Sequence, residues 1–153
     1  MAVCQLHSRR TEGGFVLIAT TIAITLLLAV AGLAIDLGRM YVIRAELQSF
    51  TDAAALTVAG QWDGSAAGQD RAKAVMKSLT EGPHAMRWDM GTRPITDPSL
   101  SFPAGPDGSH TVRVVASEPA PVIFLRIFQS RESSTVAAAS VAVKDGTTAR
   151  LTQ

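Results

Sequence analysis

FVLIATTIAITLLLAVAGLAI, from Phe15 to Ile35, is a run of 21 residues without a charge. At 1.5 Å per residue a helix of that length spans about 31 Å, the thickness of a bilayer's hydrocarbon core. Thr20, Thr21 and Thr25 do not spoil it, because a helical threonine can return its hydroxyl to a carbonyl one turn back. A chain of 153 residues has little material with which to wrap such a helix on all sides, so a buried globular helix is the weaker reading. A cleaved secretory signal is the sharper rival. Arg9 and Arg10 would be its basic region, and Ala29-Val30-Ala31 has the small-x-small form of a cleavage site. Cleavage after Ala31 would release a small secreted or periplasmic binding protein. However, Leu33, Ala34 and Ile35 prolong the apolar run, and nothing breaks the helix at the proposed cut.

Arg9 and Arg10 before the run are matched by Arg39 and Arg44 after it, so flanking charge does not set the orientation. Residues 1–14 form a basic leader too short to fold, and everything able to fold follows residue 35. The expectation is therefore a single-pass protein with a cytoplasmic N-terminus and an extracytoplasmic C-terminal region. All seven prolines lie at Pro83 or later, so the helix is expected to continue beyond the apolar run. Met40, Ile43, Leu47, Phe50, Ala54 and Val58 recur at spacings of three and four, while Arg39, Glu46, Ser49 and Asp52 lie off that stripe. This predicts an amphipathic stalk over 36–60, with Gln48 and Asp52 as an i,i+4 pair on its polar side. On the membrane half, Thr21, Thr25, Ala29 and Gly32 form a row of small residues that would let a second helix approach closely. The alternative is that membrane helices are simply rich in small residues.

The string GLAIDLGRMY (Gly32 to Tyr41) followed by RAELQSFTDAAALTVAG (Arg44 to Gly60), behind a basic leader and one hydrophobic helix, carries more than a generic span. It resembles the N-terminal region of the Tad (tight adherence) Flp pilus-assembly family, in particular its TadG-like members, over about residues 11–60. The motif residues are Asp36, Gly38, Arg39 and Tyr41, then Leu47 and Gln48, then Asp52, Ala53, Ala54, Ala55 and Leu56. The resemblance implies a bacterial inner-membrane protein that serves pilus assembly, adherence or secretion. Its implied partners are other Tad pilus-assembly or pilin-like membrane proteins. Pilin-like relatives have a leader cut by a prepilin peptidase before an aromatic residue, and Gly14-Phe15 looks like such a junction. Ala19 stands where those prepilins carry glutamate, a departure that bears on both cleavage and filament entry. Longer TadG-like proteins add a von Willebrand factor A-type domain, for which 153 residues leave no room.

Beyond the stalk, Ser65 to Leu79 is a helix candidate, and Leu100 to Phe102, His110 to Ser117 and Ser134 to Lys144 are strand candidates. Between the last two, PAPVIFLRIF (Pro119 to Phe128) is the densest apolar cluster outside the span. Its prolines suit the start of a short helix, and burial against the sheet is expected. Asp145 to Gln153 reads as a polar tail. The fold class is thus α+β: a transmembrane helix (15–35) continuing as an amphipathic helix (36–60), then a small antiparallel sheet with short helices in an extracytoplasmic region (61–144). A pilin-like architecture is one form this could take.

Chemistry is hard to find in these residues. With 14 Lys and Arg against 13 Asp and Glu, the net charge of +1 gives no field to recruit nucleic acid. The single cysteine, Cys4, can form neither an intrachain disulfide nor a cysteine-based metal site. His84 and His110 sit in turn-like contexts, where solvated loop histidines are the default reading. Asp97-Pro98-Ser99-Leu100-Ser101 fits the D-x-S-x-S pattern of a von Willebrand A-type metal site, but Pro98 lies inside it and no hydrophobic strand leads into Asp97. No catalytic residue, metal, cofactor or small-molecule substrate is expected. Asp36 falls where the helix leaves lipid, in position to pair with Arg39 one turn on.

Overall fold

The computed structural model describes residues 12–105, 109–128 and 132–152. Among them are three α-helices, α1 (Glu12–Gln61), α2 (Ala66–Thr80) and α3 (Leu125–Phe128), and six strands. These are β1 (Arg87–Trp88), β2 (Arg93–Pro94), β3 (Ser99–Ser101), β4 (His110–Pro121), β5 (Ser133–Asp145) and β6 (Thr148–Thr152). The architecture is α+β, with one candidate membrane span.

Helix α1 runs unbroken for 50 residues, about 75 Å if straight. Its first half is the one described helix long and apolar enough to cross a membrane. Nearly every side chain from Phe15 to Ala31 is exposed, Ala29 alone being half-buried. The threonines behave as expected: Thr20, Thr21 and Thr25 donate to the carbonyls of Val16, Leu17 and Thr21 at 2.7, 2.8 and 2.9 Å. The second half carries the apolar stripe. Ile43, Leu47, Phe50, Ala54 and Val58 are buried, joined by Ala55 and Ala59, and Met40 packs at the margin.

The stripe is covered by a four-stranded antiparallel sheet of order β3-β4-β5-β6, with α2 alongside α1. Strand alternation provides the matching face. Val112, Val114, Ala116 and Ala120 of β4, and Val136, Ala138 and Ala142 of β5, point inward, while Arg113, Ser117, Ala137 and Ala139 point to solvent. The register sets Val114 opposite both Leu100 and Ser140. Helix α2 is capped by Ser65, whose hydroxyl accepts the Gly68 N–H at 2.9 Å. Asp63 reinforces that start by accepting from Ser65 and pairing with Arg71 at 2.7 Å. The Ser65 hydroxyl and N–H, then Arg71, hold its carboxyl well below the usual carboxylate range. At the end of α1, Lys144 donates to the carbonyls of Gly60 and Trp62, both at 3.0 Å, where a cation suits the exposed carbonyls.

Four expectations are corrected. Pro119 to Pro121 do not begin a helix but extend β4, paired through Pro121↔Ser133. Strand β3 pairs only with Arg113–Val115, so beyond that point one edge of β4 is free and proline's missing N–H breaks no ladder. The apolar cluster that follows is only partly buried: Val122 is buried, but Ile123 is 55% and Ile127 75% exposed. The stretch read as a polar tail contains β6, paired with β5 through a turn at Gly146, whose φ of 59° favours glycine. His110 also departs from a solvated loop histidine, since it opens β4 and its ring lies 5.0 Å from that of Trp62.

Candidate functional site

Polar side chains of α1 reach the distal domain in three places among the described residues. The first is at Asp36, the residue after the apolar run, which is 1% exposed. Its Oδ1 accepts the N–H of Ile123 at 3.1 Å, and its Oδ2 accepts those of Phe124 and Leu125 at 2.8 and 2.6 Å. Three successive amides around one carboxylate are the unsatisfied donors at the start of the single-turn helix α3. Burial opposes the charge on Asp36, but the three N–H groups and nearby Arg39 outweigh it, holding the carboxyl below its ordinary range. One turn earlier, Gly32 is covered by Phe124: a Cβ at position 32 would come within 2.5 Å of Phe124 Cγ.

The second contact corrects the pairing expected for Asp36. Arg39 turns instead to Asp89, donating from Nη2 at 3.0 and 2.8 Å to the two carboxylate oxygens. Asp89 and Met90 have φ of 54° and 56°, and Gly91 of 79°, so three left-handed residues fold the β1–β2 hairpin tightly against α1. Glu46 secures its far side by accepting the Met90 N–H at 2.9 Å. Trp88, buried beneath, donates from Nε1 to the Pro94 carbonyl at 2.9 Å.

The third contact is polar and lies between α1 and β5. Gln48 donates to Asp52 at 2.9 Å, the expected i,i+4 pair, but also to Ser140 at 3.0 Å. Ser140 in turn bonds the Thr51 hydroxyl at 2.7 Å and donates to Asp52. Asp52, expected on the open polar face, is therefore half-buried at the edge of the sheet.

The motif residues fall on this geometry unevenly. Asp36, Arg39, Gln48 and Asp52 make the polar contacts, Leu47, Ala54 and Ala55 are core, and Leu56 packs at its margin. Gly38, Tyr41 and Ala53 face outward. Of the small-residue row, Thr21 and Thr25 are exposed, Ala29 is half-buried beside Phe124, and Gly32 lies beneath it. Gly14, Phe15 and Ala19 lie within α1, the side chains of Phe15 and Ala19 exposed.

Sequence reading missed Asp89, Ser140, Glu118 and Phe124. Ser140 and Glu118 carried a usable signal, because period-two alternation puts both on the inward face with Ala138 and Ala116. Buried Glu118 accepts the Thr96 N–H at 2.5 Å and its hydroxyl at 3.1 Å, pinning the loop before β3. No group of three His, Cys, Asp or Glu side chains converges among the described residues.

The helical side of this joint lies in a segment that matches a family model. Residues 13–61 match the family model described as Tad, putative Flp pilus-assembly TadE/G-like. The match covers α1 almost end to end and stops where the distal domain begins. Searches among curated proteins and among solved structures found no match.

Proposed function

We propose that this chain is a membrane-anchored, non-enzymatic component of a Tad/Flp pilus-assembly, adherence or secretion machinery. It sits in the bacterial inner membrane, with the N-terminus in the cytoplasm and the sheet domain outside. The observation that carries the reading is the family match over residues 13–61, because the same segment contains the exposed apolar span and the residues that fasten it to the distal domain. A continuous helix rigidly coupled to a small domain suits an anchor or assembly platform that other pilin-like membrane proteins contact. The row Thr21, Thr25, Ala29 and Gly32 offers its exposed threonines to a neighbouring helix, since among the described residues Phe124 lies over Gly32 and beside Ala29.

Deleting the gene should abolish surface pili and adherence, and restoring the intact chain should recover both. Unchanged pili would refute the assignment. The second reading, a binding protein released after Ala31, is separated by alkaline carbonate extraction and N-terminal sequencing: the anchored protein stays with membranes, and the released one is soluble and begins at Gly32. Sequencing also reports cleavage between Gly14 and Phe15, which would leave the span intact.

A further inference from the structure

We infer that the segment Val122–Phe128 is a second membrane contact, an apolar foot that seats Ile123 and Ile127 in the outer leaflet beside the span. The inference rests on reading residues 15–35 as membrane-embedded. Ile123 and Ile127 are exposed, whereas their neighbour Val122 is buried. Their height along α1 is fixed by contacts. The carboxylate of Asp36 holds the three amides of the turn, and Phe124 rests on Gly32. Ile127 and Phe124 then close a small apolar pocket of about 220 Å³ with Leu28 and Ala29. Ala29 precedes Ile35 by six residues, so this contact lies about 9 Å inside the end of the apolar run.

Ile127, at that depth, continues the exposed apolar surface of the helix beside it, so lipid chains that cover Leu28 would cover it too, while Ile123, whose N–H is held at Asp36, meets the bilayer nearer its surface. Arg126, the one charge in the segment, is exposed and pairs with Glu132 at 2.8 Å, and its long stem lets the charged end stay at the headgroups. The foot and the span together would fix the tilt of the sheet domain over the membrane, which a single helix leaves free to swivel.

The test uses the full chain with Cys4→Ser, reconstituted in phosphatidylcholine vesicles, carrying one environment-sensitive fluorophore at Ile127→Cys, Leu26→Cys or Ser78→Cys. Quenching is read with lipids spin-labelled either near the headgroup end or near the tip of the acyl chain. Position 127 should be quenched several-fold more than position 78, and with a larger share of shallow over deep quenching than position 26, which lies nearer the middle of the span. Quenching at 26 but not at 127 would overturn the foot and leave the span standing. Quenching at neither would overturn the span as well. If 127 is shielded from both lipid quenchers and aqueous iodide, protein covers it, and the lipid assignment is wrong.

Discussion

Leu47 sits at the centre of the helical stripe and is 0% exposed, so Leu47→Asp tests whether the distal sheet is built on the stalk. The substitution loses the three buried apolar carbons beyond Cβ, about 2.4 kcal/mol at about 0.8 kcal/mol each, before any penalty for the space left behind. The carboxylate must then either be buried charged or take up a proton. With an ordinary pKa near 3.9, protonation at neutral pH costs about 4 kcal/mol, which caps the penalty of carrying it in apolar surroundings. Together these reach about 6 kcal/mol, comparable with the whole stability of a small domain, roughly 5–15 kcal/mol. Ser49→Asp adds the same charge one turn-fraction away on the exposed face and should change stability by less than about 0.5 kcal/mol. Both variants are compared in detergent micelles by limited proteolysis and urea unfolding. Leu47→Asp should leave the sheet domain open to protease without denaturant, with Ser49→Asp resistant. Equal resistance would refute the packing of stripe on sheet and direct the stripe to an intermolecular contact.

Asp36→Asn replaces one acceptor oxygen by a donor facing amides that also donate, so hydrogen exchange at Ile123, Phe124 and Leu125 should accelerate; unchanged protection would exclude the clamp. Because folding lowers the pKa of Asp36, the unmodified clamp should be complete above the ordinary carboxylate pKa of about 3.9 and weaken only as pH falls below it. Gly32→Ala should destabilise by about 1–3 kcal/mol through overlap with Phe124, and adding Phe124→Ala should relieve part of that loss in a double-mutant cycle; strict additivity would contradict the contact. Ser140→Ala strips a partner from Thr51, Gln48 and Asp52 together, with an expected loss of about 1–3 kcal/mol in urea unfolding. A neutral outcome would show the polar contact to be replaceable by water.

What could be read from the chain was what is periodic. The uncharged run gave the candidate span, the three-and-four spacing of Ile43, Leu47, Phe50, Ala54 and Val58 gave the buried face, and the valine-rich alternation gave the two long strands. The joint was hidden because its partners are remote: Asp36 bonds residues 87 to 89 positions away, and Arg39 bonds one 50 positions away. Sequence spacing alone pairs Asp36 with Arg39, yet buried amides at the start of α3 need an acceptor more than an exposed arginine does. Strand β6 was obscured by its own exposure, since an edge strand in water needs no apolar alternation, although Asp145-Gly146 was a readable hairpin signal. Ile123 and Ile127 broke the rule that apolar clusters outside a span are buried, at the place where the domain lies closest to the apolar run.

The central claim is a chain anchored once, with its two ends on opposite sides of the inner membrane, and thiol accessibility in whole cells tests it directly. Native Cys4 lies in the leader, and Ser78→Cys places a second thiol on the exposed face of α2. In spheroplasts a membrane-impermeant maleimide should label the thiol at position 78 at once and Cys4 only after lysis, with the protein remaining in the carbonate-resistant membrane fraction. Labelling of Cys4 before lysis, or recovery of a protein lacking Cys4 in the soluble fraction, would contradict the account.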